Sequence, residues 1–298
     1  MEVILPNGVV LSFGVFDGVH IAHQIVIKKV VNRARELGIG SVIISFDPHP
    51  ALSVSGKAPL SLMTVKKKVE ILKSMGIDEV IVENFNTNFS QLSPEQFVKE
   101  ILIDRFNAKE IIVGYDCAFG KNKSGNKKKL KDLGKKYGFN VDIVEPYMFN
   151  GEIVSSTRIR NAIIEGKIKL AEKLLGRPYS ISGVIEHGKG IGHKIGYATA
   201  NLHQKDQVLP PFGVYAVKVY LREKQYGGIL NMGMQPTFGA DRFRIEVHLM
   251  GFQGSLYGEN MEVLFISKIR DEKTFSSSRE LAEQIKRDEV AARKILYS

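Results

Sequence analysis

From residue 9 to about residue 115, short apolar runs alternate with segments of helical periodicity, and no other feature narrows the fold so far. The runs at 42–46, 79–82 and 109–113 predict buried strands, while 25–37, 65–75 and 94–106 space their apolar residues as helices do. Ser93 before Pro94 suits a helix start, a capping hydroxyl followed by a residue whose φ is already helical. Strands alternating with helices predict a parallel sheet of the doubly wound kind, whose ligands bind at the carboxyl ends of the strands. Residues 13–24, 46–50 and 114–120 all fall there. After residue 179 the texture changes. Runs rich in β-formers at 179–185, 214–221, 226–230, 243–250 and 261–266, punctuated by Gly and Pro, predict an antiparallel barrel, and an amphipathic helix over about 278–296 closes the chain. The boundary expected near residue 180 divides the chain into 1–179 and 180–298, with no internal repeat between the halves.

The bulk properties bound the chemistry only loosely. A chain of 298 residues supports two cores, and 44% hydrophobic with 25% charged residues is ordinary for a globular protein. The single cysteine, Cys117, excludes an intrachain disulfide and fits a reducing compartment. No apolar run approaches the roughly 18–20 residues of a membrane span. The first residues lack a basic stretch and a long apolar core, so no signal peptide and a cytoplasmic location are expected. A formal charge of +10 suits anionic ligands such as nucleotides, and equally nucleic acid.

Residues 13–24 read Phe-Gly-Val-Phe-Asp-Gly-Val-His-Ile-Ala-His-Gln, between an apolar run and a helical pattern. A strand, a glycine-bearing turn and a helix start aim backbone N–H groups and a positive dipole end at an anion. Gly14 and Gly18 permit close backbone approach or a positive φ. His20 and His23 share one side of the first helical turn. They read either as polar residues satisfying a helix end or as groups stabilising a transferring phosphoryl or nucleotidyl unit. Residues 46–50, Phe-Asp-Pro-His-Pro, read as a rigid proline-bearing loop around His49. Residues 121–136 carry the strongest charge run, which reads as a solvated loop and helix face and lacks interleaved aromatics or a nucleic-acid motif. Residues 155–160, Ser-Ser-Thr-Arg-Ile-Arg, suit phosphate oxygens and also make a good helix cap.

The 13–24 string resembles the H-x-G-H signature of the nucleotidylyltransferase superfamily. Its form F-D-G-V-H-x-x-H-Q is similar to that of the bacterial bifunctional riboflavin kinase/FMN adenylyltransferases, the FAD synthetases; Ala22 stands where that family usually has glycine. The resemblance extends from about residue 9 to 295. It implies an α/β nucleotidylyltransferase domain with a Rossmann-like parallel sheet, followed by an all-β flavokinase-type barrel with a C-terminal helix. Under it, His20, His23 and Arg160 act in adenylyl transfer, and Gly14, Phe16, Asp17, Gly18, His49, Asp116, Ser156 and Thr157 bind nucleotide and flavin. Cys117 replaces a usual phenylalanine and reads as a small buried hydrophobe.

In the second half, Gly188, Lys189 and Gly190 open a glycine-rich stretch that the resemblance makes a flap over ATP phosphates. Thr199 and Asn201 match its Mg²⁺- and phosphate-holding pair, oxygen donors suited to a hard cation. Glu246 matches its general base toward the ribityl 5′-hydroxyl, Asn231 lies in a further matching stretch, and Arg270 is a flavin or nucleotide contact. Ala198, Ile191, His193, Gly251 and Ser255 depart from the pattern: Ala198 replaces a usual proline and loosens a rigid turn, while Ile191 and His193 replace usual arginines and remove positive charge from the flap. The resemblance therefore implies riboflavin, FMN and ATP as substrates, FAD as product, Mg²⁺ as metal, and a monomer or weak homo-oligomer without membrane or nucleic-acid partners. Two other readings stay open: an enzyme whose adenylyltransferase alone is efficient, and a flavin-sensing or RNA-binding regulator that uses the lysine run.

Overall fold

The computed structural model describes residues 7–186, 199–222, 224–235, 242–252, 254 and 256–297. The chain divides into two compact units, Met1–Leu60 with Val65–Ser156, and Ser61–Thr64 with Thr157–Ser298.

The first unit is built on five parallel strands: β1 (Val9–Phe13), β2 (Gly40–Asp47), β3 (Glu79–Asn84), β4 (Ala108–Gly114) and β7 (Asn140–Val144). They lie in the order β3-β2-β1-β4-β7, so the order reverses beside β1, where doubly wound sheets bind ligands. β1 is buried at every residue, as a central strand covered on both faces must be. One face carries Leu11, Phe13, Ile44, Phe46 and Val113 against Phe97, Leu102, Leu130 and Leu133. The other lies under helix α1 (Ile21–Leu37), whose Ile27, Val30 and Ala34 are buried, and beyond it α3 (Val65–Ser74) packs on β3. α2 (Pro50–Ser55) follows β2 and α4 (Thr87–Ser90) follows β3; the lysine run forms a turn and α6 (Lys127–Tyr137). Two short hairpins, β5 (Ala118–Phe119) with β6 (Gly125–Asn126) and β8 (Met148–Phe149) with β9 (Glu152–Ile153), carry no periodicity that a sequence reading could use.

Two helical expectations change in detail. Ser93 and Gln96 form a reciprocal capping box and Pro94 sits at the first helical position of α5 (Pro94–Gln96). The expected α-helix then widens into a π-helix over Phe97–Arg105, for which the residues of that stretch give no reason. The helix expected from the 155–160 motif to residue 175 is two helices, α7 (Ser156–Ile164) and α8 (Ile168–Leu175). Gly166, at φ +75° and against the Pro211 ring, breaks the line between them.

The second unit contains a closed barrel of β10 (Ser180–Glu186), β11 (Thr199–His203), β12 (Gly213–Leu221), β13 (Lys224–Gln235), β14 (Arg242–Leu249) and β15 (Asn260–Arg270), in the order β10-β11-β14-β13-β12-β15. Every neighbouring pair is antiparallel. Alternation sorts the side chains: Tyr215, Val217 and Val219 fill the interior with Phe265, Leu230 and Val247. The alternate residues Val214 and Ala216 join Ile229 and Ala292 under the C-terminal helix, Ser278–Tyr297.

Candidate active sites

At the carboxyl end of β1 the chain turns sharply. The Gly14 N–H bonds the Ile44 carbonyl at 3.0 Å, the last link to β2, and the Phe16 ring lies beside Gly14. Phe16, Gly18 and Val19 all have positive φ, +48°, +81° and +37°. Such geometry at a β-branched valine costs on the order of 1–3 kcal/mol and persists only where neighbours over-determine it. The neighbours do so here. The Ser156 hydroxyl, 139 residues away, donates to the Asp17 carbonyl at 2.9 Å, and Gln24 Nε2 donates to the Val19 carbonyl at 2.9 Å.

α1 begins directly after this turn. His20 is its cap, Nδ1 accepting the His23 N–H at 3.4 Å. The two imidazoles stack, centroids 3.6 Å apart and planes 18° from parallel, and Phe16 meets His23 edge-on at 5.2 Å. His20 is buried while His23 is half-buried. The unit therefore brings two imidazoles, a helix N-terminus and the Ser156 hydroxyl to one strand end, an arrangement that stabilises developing negative charge. His49 caps α2, its Nδ1 accepting the Ala51 N–H at 3.1 Å. Asp116 folds back over Gly114, and Phe46 stacks obliquely on Phe89 beneath this end of the sheet.

A buried cation lies behind the turn. Lys68 of α3 is 5% exposed, and its Nζ donates to the Val15 carbonyl and to Ser45 Oγ, both at 2.9 Å. Burial pushes its ammonium below the ordinary lysine value, and the Asp17 and Asp47 carboxylates oppose that shift.

On the barrel, strand register brings together the residues of a second candidate site. Asn201 lies opposite Glu246, and Glu246 opposite Asn231. Asn231 shares its face with Ile229, so all three residues stand on the outer face that the C-terminal helix partly covers. Thr199, two residues before Asn201, joins that face opposite His248. Arg244 donates from Nη1 to Glu246 Oε1 at 2.8 Å, and the Glu272 carboxylate lies over Gly233. Among the described residues no cluster of three or more His, Cys, Asp or Glu could hold a metal alone. A hard cation here would rest on the Thr199 and Asn201 oxygens together with phosphate.

Residues 4–158 match the family model described as FAD synthetase, and residues 175–296 match that of riboflavin kinase. A bifunctional riboflavin kinase/FMN adenylyltransferase of Buchnera aphidicola (subsp. Schizaphis graminum) is 42% identical over 283 residues, 93% of this chain and 91% of its own. The chain belongs to the riboflavin kinase/FMN adenylyltransferase family. The Escherichia coli K12 member is 37% identical over 289 residues, covering 96% of this chain and 92% of its own. A solved Streptococcus pneumoniae structure, titled as a macrolide-efflux protein, superposes with a TM-score of 0.88 at 32% identity, covering 100% of this chain and 97% of that one. Among the described residues no helix is long and apolar enough to cross a membrane. Both enzyme modules of the family are thus on this chain.

The family's expected residues fall unevenly on the structure. Gly188, Lys189 and Gly190, with Ile191, His193, Ala198 and Ser255, lie outside the described residues. Thr157 and Arg160 occupy the opening turns of α7, Arg160 four residues from Ser156 and so on the same helical face. Cys117 is half-buried, and burial beside Asp116 pushes its thiol up to about 12, which leaves it protonated and inert. Arg270, expected at a ligand, places Nε and Nη2 on the Asp288 carboxylate at 3.1 and 2.9 Å and Nη1 on the Asp271 carbonyl at 2.9 Å. Sequence reasoning missed Lys68, Arg244 and Asp288. Lys68 carried a readable signal, since it sits four residues before buried Leu72 on the apolar stripe of its helix.

Proposed function

We propose that residues 180–298 phosphorylate riboflavin with ATP to give FMN, and that residues 1–179 then transfer AMP from a second ATP to the FMN phosphate, giving FAD and pyrophosphate. The strained turn at Phe16–Val19, held by Ser156 and opening onto the His20–His23 stack, carries the adenylyltransferase reading. An FMN phosphate oxygen attacks the α-phosphorus while the bond to pyrophosphate breaks, so no covalent enzyme intermediate is needed. His20, His23, Ser156, Thr157 and Arg160 offset the anionic repulsion and the charge on the departing pyrophosphate. Gly14 and Gly18 admit the phosphates to the backbone, and Phe16, Asp17, His49 and Asp116 flank nucleotide and flavin.

In the barrel, the cross-strand row Asn201–Glu246–Asn231 supports a phosphoryl-transfer site. Glu246 takes the proton of the 5′-hydroxyl as its oxygen bonds the γ-phosphorus and the bond to ADP breaks. Thr199 and Asn201 would hold Mg²⁺, which when bound neutralises phosphate charge. Asn231, Gly188, Lys189 and Gly190 contact the nucleotide, and Arg270 meets flavin or nucleotide with the donors that Asp288 and Asp271 do not take. The enzyme acts in the cytoplasm as a monomer or weak homo-oligomer.

The test is chromatographic: the chain is incubated with MgATP and either riboflavin or FMN, and the flavins are separated over time. FMN followed by FAD is expected from riboflavin. His23→Ala should lower FAD formation from FMN by roughly 100-fold or more, the usual cost of losing a transition-state donor, and leave FMN formation intact. A folded His23→Ala chain that loses both activities overturns the assignment of separate sites.

A further inference from the structure

Three polar groups converge behind the strained turn. The Val15 carbonyl, one residue before Phe16, accepts from Lys68 Nζ at 2.9 Å and from Ser45 Oγ at 3.1 Å. Lys68 Nζ also donates to Ser45 Oγ, which closes a triangle between the ends of β1 and β2 and the first turn of α3. The lysine is 5% exposed, and Ser45 is buried completely. A cation is costly to bury, and a neutral residue of similar length would pack there without that cost. The carboxylates of Asp17, in the turn, and Asp47, at the end of β2, are the charged groups that interact with it.

We propose that Lys68 is a positioning residue for adenylyl transfer: its buried ammonium fixes the Val15 carbonyl and thereby holds the turn that presents His20 and His23. The proposal rests on the adenylyltransferase reading of this unit. The turn itself has φ values that no residue but glycine adopts readily, at Phe16 and at fully buried Val19. Hydrogen bonds to a charged donor are about twice as strong as neutral ones. A clamp of that kind on the residue before the turn keeps the imidazoles within the narrow tolerance that transfer demands.

The pH dependence follows with a definite sign. Burial favours the neutral amine, so Lys68 loses its proton below the ordinary lysine value of 10.5. Adenylyl transfer should therefore fall on the alkaline side as the clamp loses its charge assistance.

The experiment compares Lys68→Met and Lys68→Arg with the wild-type chain, following FMN-to-FAD conversion against pH and riboflavin phosphorylation as an internal control. Thermal melting separates loss of function from loss of fold. Lys68→Met should lower kcat for FAD formation about 100-fold, the cost of an ångström-scale misplacement, with KM for FMN and ATP little changed. Lys68→Arg, which stays charged, should recover most of that loss and keep its activity through the alkaline window where the wild type declines. Full FAD formation by Lys68→Met, or equal losses in both variants with an unaltered pH profile, overturns the proposal. A wild-type chain that makes no FAD from FMN removes instead the reading on which the proposal rests.

Discussion

Single residues set hard limits on both units. On β10, a Cβ at Gly183 would meet the His203 carbonyl oxygen well inside van der Waals contact, and backbone on a neighbouring strand cannot step aside as a side chain can. Gly183→Ala should therefore lower stability by roughly 1–3 kcal/mol, the usual range for overpacking, seen as a lower denaturation midpoint in urea at unchanged slope. Gly14 is less constrained, since a Cβ there would rest in ordinary van der Waals contact with the Phe16 ring. These demands were partly visible in the chain. The glycines at 14 and 18 announced a turn. The positive φ at Phe16 and Val19 did not show, because no residue type there advertises it and only surrounding contacts hold it. Lys68 was less visible than the glycines: within a run of three lysines, only its helical spacing from Leu72 set it apart.

At the scale of elements, the C-terminal helix is held to the barrel by chemistry as well as by apolar packing. Ala292 joins Val214, Ala216 and Ile229, and beside them Arg270 engages the nearly buried Asp288, to which Gln284 also donates. Removing one partner of a buried pair leaves the other charge uncompensated. Asp288→Ala should thus cost about 2–3 kcal/mol, at the low end for buried pairs because Arg270 keeps 21% of its side chain exposed. The loss would appear in chemical denaturation, and hydrogen exchange should show it concentrated in the helix over Ser278–Tyr297. Most elements were legible because their period is local: β1, α1 and the capping box at Ser93 all follow from neighbours in sequence. The break at Gly166 was missed because an isolated glycine within a helical pattern is usually tolerated, and what decides here is its positive φ beside Pro211.

For the whole molecule, two catalytic modules on one chain make the reactions separable. Glu246→Gln should abolish FMN formation from riboflavin and keep FAD formation from FMN, the reverse of His23→Ala. An equimolar mixture of the two variants should then convert riboflavin to FAD through free FMN, measured by the same flavin chromatography; a mixture that stops at FMN would show that FMN does not pass between chains. The order of modules, the alternating half and the β-rich half were all determined by the sequence alone, because each rests on hydrophobic period and on motifs a dozen residues long or shorter. The residues of the 13–24 and 155–160 motifs were legible for the same reason. Only the tertiary structure decided that Ser156 bonds the Asp17 carbonyl, that Lys68 lies under the turn, and that Asn201, Glu246 and Asn231 form one row across three strands. Those facts depend on strand register, barrel closure and burial, which arise between segments far apart in the chain and which no local pattern encodes.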